Sequence, residues 1–196
     1  MYKRVGIVLK ELNSPHKIAL LDEQHGRIDA IIKKPTCVGA LLHYTIEQER
    51  GNFWYLSQLS ISHLPFQLAR DDILFWHHVL EISYFFVPIG SSTYSLFKLL
   101  QFLYTVDNNV RWCTQSKKLY LFKLLAAIGL YDRLPSLVPI GRVEYLLGMP
   151  VDEIVQEKLD EKNEQIVDEW LRTCIAEHPA IEQFNTVHFL INNGQI

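Results

Sequence analysis

HGRIDAIIKKP, residues 25–35, sets apolar Ile28, Ala30 and Ile32 on every second position and charged Arg27, Asp29 and Lys33 on the positions between them. Successive side chains of a strand point to opposite faces, so this is the pattern of a ribbon with one face buried and one face wet. Gly26 supplies the turn before it. Pro35, which has no N–H to give to a ladder, ends it.

The same grammar continues on both sides. Upstream, VGIVLKEL from Val5 is broken at Asn13, Ser14 and Pro15, and HKIALLD follows before the turn through Gln24 and Gly26. Downstream, VGALLHYTIEQ from Val38 runs to a turn at Arg50, Gly51 and Asn52. FWYLSQLSISH then alternates again, with Phe53, Tyr55, Leu59 and Ile61 on one parity and Trp54 on the other. Five short antiparallel strands predict a small closed barrel, since a flat sheet would leave two open edges. An OB-type barrel is the first expectation, and a five-stranded SH3-like barrel is the alternative that pattern leaves open.

After Pro65 the period becomes helical. Asp71 or Asp72 is placed to cap a helix from Ile73 to Val87, which Pro88 and Gly90 stop. Ser91 and Ser92 precede TYSLFKLLQFLYTV, and Asp107 and Asn108 precede WCTQSKKLYLFKLLAAIGLYD, with Gly129 near its end. PSLVPIGRVEYLLGMP, with three prolines and two glycines, reads as a linker. Residues 151–178 space Val151, Ile154, Val155, Leu159, Ile166, Val167, Trp170 and Leu171 as one amphipathic helix. The expected class is therefore α+β: an OB-type barrel over residues 1–64, then an all-α domain over 65–196 with an acidic segment from 151.

Composition narrows the function classes. With 48% hydrophobic and 12% aromatic residues in 196, the chain has ample material for a core. The N-terminal MYKRVGIVLKELNSP alternates as a strand and does not read as a signal peptide. ILFWHHVLEISYFFVPIG is cut by His77, His78, Glu81 and Pro88, short of the roughly 18 apolar residues of a membrane span, so no membrane partner is expected. Three separated cysteines, Cys37, Cys113 and Cys174, outline no disulfide framework and point to a reducing cytoplasm. The net charge of −3 hides an asymmetry: residues 151–196 carry ten carboxylates against three cations, whereas 1–64 and 65–150 each carry eight cations against six carboxylates. A mildly basic body suits a polyanionic partner, and the acidic segment is a candidate to cover it in cis.

The order of these segments resembles the RecO family of DNA repair proteins. The family's barrel has a His-Gly-Arg-type turn and a β-branched strand closing on basic residues, matched here by His25, Gly26, Arg27 and IDAIIKK. A Gly-Ala-Leu motif opening the next strand is matched by Gly39, Ala40 and Leu41. LLAAIGLYDRLP resembles the family's Leu-Gly-Tyr helix end, and the likeness spans about the first 135 residues, with WLRTCIAEHPAIEQFNTVHFLINN similar in outline to the closing helices. The resemblance implies a non-enzymatic recombination mediator, cytoplasmic and nucleoid-associated. Such a protein binds single- and double-stranded DNA, anneals strands, and works with single-stranded DNA-binding protein and RecR. Two departures are plain. The family's basic loop is reduced to PTCV, and its four-cysteine zinc module has no counterpart, so neither structural metal nor cofactor is expected. The alternative is a RecO-derived protein-interaction scaffold with little DNA affinity.

For DNA contact the candidates are Lys10, Arg27, Lys33 and Lys34, which would neutralise phosphates, and Trp54, which would stack on a base if its parity faces outward; Tyr44, Phe53 and Tyr55 lie on the same strand pair. For partner contact the densest basic run is Arg111, Lys117, Lys118 and Lys123. Each has an ordinary reading as a solvated charge or a core aromatic. Cys174 and His178, four apart on a helix, make only two ligands of a metal site that would need a third, such as His188. His77 and His78 suit a packing role. No Walker loop, GxSxG elbow or HExxH helix occurs, so no enzyme is nominated.

Overall fold

The computed structural model describes residues 3–91, 94–105, 112–130 and 145–186. The chain divides into two compact units, Met1–Val106 and Asp107–Ile196, so the helices up to residue 105 lie in the barrel's unit.

In the first unit the five strands are β1 (Arg4–Glu11), β2 (Lys17–Asp22), β3 (Gly26–Ile32), β4 (Leu41–Arg50) and β5 (Phe53–His63). They close into a barrel in the order β1-β2-β3-β5-β4, antiparallel everywhere except between β3 and β5. That parallel closure gives an OB-type barrel, and the SH3-like alternative is set aside. The alternation of β3 is realised as expected: Ile28, Ala30 and Ile32 are buried in the barrel core with Leu20, Leu42 and Leu56.

The outer side of β1 and β2 is buried as well. Ile7, Ala19 and Leu21 stand on the parity opposite to the core residues Val8, Ile18 and Leu20, yet none is exposed. The helix α2 (Ile73–Phe86), which follows the short α1 (Phe66–Asp71), packs on β1. Asp72 caps α2, its side chain accepting from the Phe75 N–H at 2.9 Å. The Gly-Ala-Leu motif belongs to the same packing. Gly39 has φ +79° and its N–H donates to the Val8 carbonyl at 2.7 Å. A Cβ there would lie 2.6 Å from Trp76 Nε1, so only glycine fits both the backbone and the indole. Tyr104, on α3 (Tyr94–Thr105), donates its hydroxyl to the Gly39 carbonyl at 2.8 Å.

The second unit is built on α4 (Thr114–Ala127), α5 (Val151–Ile154) and α6 (Glu161–Ala176), followed by a 3₁₀ turn at Ile181–Gln183. Gly129, at φ +97°, ends α4 in a Schellman motif, with Gly129 N–H on the Ala126 carbonyl and Leu130 N–H on that of Leu125. The single helix predicted over 151–178 is divided. Asp160 caps a new start by accepting from the Asn163 N–H at 2.8 Å, a side-chain bond that competes with helix continuation. Trp170 of α6 is buried edge-on against Phe122 of α4, ring centroids 5.0 Å apart. The linker predicted at 135–150 lies mostly outside the described residues. Among the described residues no helix is long and apolar enough to cross a membrane.

Candidate nucleic-acid interface

Arg27 does not stand free on the wet face of β3. Its Nη1 donates to the carbonyls of Tyr84 and, at 3.0 Å, of Val87, satisfying C-terminal carbonyls of α2, and its guanidinium lies 4.5 Å from the Tyr84 ring centroid. Lys10 converges on the same place, its ammonium 4.6 Å from the Tyr84 centroid and 5.0 Å from that of Phe85. Both cations fasten helix to barrel. Lys33 and Lys34 are exposed beyond the far end of β3, about 20 Å from Arg27 along the strand, and Lys33 pairs with Glu47 at 3.3 Å. The structure thus brings Lys10 and Arg27 together at α2 and leaves Lys33 and Lys34 apart from them.

The register of β5 decides which aromatics face outward. Trp54 is opposite the core residue Ala30, and Leu56 is opposite Ile32, so both point inward. Phe53 is opposite Asp29 and Tyr55 opposite Ile31, on the outer face. Trp54 is therefore corrected from an outward stacking candidate to a half-buried residue packed against the barrel core. Tyr44 is fully buried. Gln58, at φ +50°, lies at a shift in the β4–β5 register, and beyond it Leu59 packs on the core although Phe53 and Tyr55, of the same parity, do not.

Phe53 and Tyr55 form a half-exposed aromatic pair on the outer surface of β3, β5 and β4. Lys17 extends from β2 to place its ammonium 5.2 Å from the Phe53 centroid, and Arg50 of β4 lies 6.0 Å from that of Tyr55. Lys17 and Arg50 carry no motif and escape a sequence reading, because only the cross-strand register puts them beside these rings. Asp29 shares the face. Burial raises its carboxyl above the usual range, with Arg27 opposing the rise.

The barrel end beside this face holds a cleft of about 580 Å³ whose lining includes Trp54, His25, Glu49 and Asn52. The His25 and Trp54 rings are 4.8 Å apart. Behind them Asp22 is 1% exposed. It accepts from the Gln24 and His25 N–H groups at 2.8 and 2.7 Å, from the His25 ring at 2.9 Å and from the Tyr44 hydroxyl, with Arg4 at 3.7 Å. Burial alone would raise the Asp22 carboxyl. The bonds from Tyr44, His25 and Gln24 outweigh it and hold the group below the ordinary range, while burial and the facing carboxylate push the Tyr44 hydroxyl well up.

In the second unit the basic run does not make one patch. Lys118 is buried, its ammonium 2.8 Å from Glu164 Oε1 and 2.7 Å from Asp168 Oδ2, which ties α4 to α6. Lys123 donates to the carbonyls of Leu147 and Met149, and burial lowers its pKa. These two are corrected from partner-binding candidates to internal fastenings. Lys117 is half-buried, and Arg111 lies outside the described residues. Cys174 is buried in α6, whereas the His178 ring packs on Phe184, centroids 5.3 Å apart; His188 lies outside the described residues. His78 is buried in α2 and His77 is exposed. No protein-family model matches the chain, and no curated protein matches it.

Proposed function

We propose that this chain is a single-strand nucleic-acid-binding protein that works as a RecO-like mediator, making and breaking no bond. The observation that carries the reading is the outward pair Phe53 and Tyr55 flanked by Lys17 and Arg50. The two ring positions are about 7 Å apart along β5, one for each of two bases, and every base has a π-face to stack. The neighbouring cations, with Lys33 and Lys34 at the edge, take the phosphates. A strand held by stacking and by its backbone keeps its pairing edges free, which is what annealing requires. The roles of RecR and of single-stranded DNA-binding protein as partners, and binding of double-stranded DNA, come from the family resemblance.

The scaffold reading draws on a different observation: Arg27, Lys10, Lys118 and Lys123 are all engaged within the chain. A fluorescence titration of a labelled thymidine oligomer at several salt concentrations separates the two. Neutralisation of four phosphates, by Lys17, Arg50, Lys33 and Lys34, gives a log–log salt slope of about −3. Absence of saturable binding at low salt would overturn the mediator reading and favour the scaffold.

A further inference from the structure

We infer that the cleft at the barrel end is a pocket for one unstacked guanine base of the bound strand, an inference that rests on the strand-binding reading above. Its lining combines three elements that a base needs. Trp54 and His25, ring centroids 4.8 Å apart, make an aromatic wall; Ile28 of the core makes an apolar floor; Glu49, Gln24 and Asn52 supply polar groups. The volume of about 580 Å³ is that of a small-molecule site, ample for a purine. The cleft is also continuous with the outer face in sequence, because Phe53 and Trp54 are neighbours pointing to opposite sides of β5. A strand stacked on Phe53 reaches the rim within one nucleotide.

Glu49 sets the choice of base. It is opposite Trp54 in the β4–β5 ladder, so its carboxylate stands on the aromatic side of the cleft. A carboxylate only accepts hydrogen bonds. Guanine offers two adjacent donors, the N1–H and the exocyclic amino group, that match its two oxygens. Adenine and cytosine offer one amino group each, and thymine one imide N–H. The amides of Gln24 and Asn52 both donate and accept, so they add affinity without discriminating.

The test uses the full chain and four labelled thymidine oligomers: unmodified, or carrying one central guanine, inosine or adenine. Inosine keeps N1–H and lacks the amino group. The guanine oligomer is expected to bind about tenfold tighter than the inosine or adenine ones. Glu49→Gln is expected to bring the ratio of guanine to unmodified affinity to about one, whatever the loss of a negative charge does to all four oligomers alike. Trp54→Phe, which keeps an aromatic ring packed on the core, is expected to narrow the ratio of guanine to unmodified affinity. Equal affinities for all four, or a guanine advantage that survives Glu49→Gln, would overturn the pocket. Salt-dependent binding of the unmodified oligomer without guanine preference removes the pocket and leaves the strand-binding face. Glu49-dependent binding of guanosine 5′-monophosphate with no oligomer binding leaves the pocket and removes the face. Binding of neither removes both.

Discussion

Asp22 is the most constrained charge among the described residues of the barrel, and its environment sets a pH dependence. Hydrogen bonds from Tyr44, His25 and Gln24 outweigh burial and depress its pKa below the ordinary 3.8. In the window beneath that value the unfolded chain binds a proton that the folded chain does not, so stability is full above it and falls as pH drops through the folded pKa. Urea midpoints measured between about pH 5 and pH 2 are expected to fall for the natural chain. Asp22→Asn is expected to flatten that acid limb and to cost about 1–3 kcal/mol at neutral pH, because it leaves the Tyr44 and His25 donors weakly matched. An unchanged limb would contradict the assignment. Nothing in HKIALLD marks this aspartate as buried. Its partners Tyr44 and Arg4 arrive from strands that pair only in the closed barrel.

At the scale of elements, what the sequence discloses is local and what it conceals depends on register. The alternation in IDAIIKK identifies the inner face of β3 because Ile28, Ala30 and Ile32 keep one parity along the whole strand. FWYLSQLSISH keeps no such single parity: the register against β4 shifts at Gln58, so a parity drawn from Phe53 to Ile61 joins residues that face different ways. The apolar runs of β1 and β2 read as strands but do not announce a second buried face, which over β1 is covered by α2 from more than 50 residues away. The lysines in TQSKKLYLF likewise look alike, and only Glu164 and Asp168 single out Lys118. Lys118→Ala is expected to destabilise the chain by about 1–3 kcal/mol in chemical denaturation. That is less than for a fully dry pair, because both carboxylates keep contact with water. A change under about 0.5 kcal/mol, the range of ordinary surface substitutions, would contradict a fastening role.

For the whole molecule, the asymmetry of charge has a structural meaning that its sum conceals. The acidic segment from residue 151 is no detachable tail: Ile154, Val155, Val167, Trp170, Leu171 and Ile175 are buried, so its removal takes away much of the second unit's core. Deletion of 151–196 therefore does not isolate a cis-covering role. The barrel's outer face can be tested in the intact chain. The most direct measurement compares thymidine-oligomer affinity for two variants whose folding is checked by circular dichroism: Phe53→Ala with Tyr55→Ala, and Arg27→Ala. Loss of two stacking rings is expected to weaken binding by about thirtyfold or more, at about 1–3 kcal/mol per base. Arg27→Ala is expected to lower stability and leave affinity unchanged. Unaltered affinity in the aromatic double variant, with a loss in Arg27→Ala, would contradict the account and return the contact to the ribbon HGRIDAIIKKP.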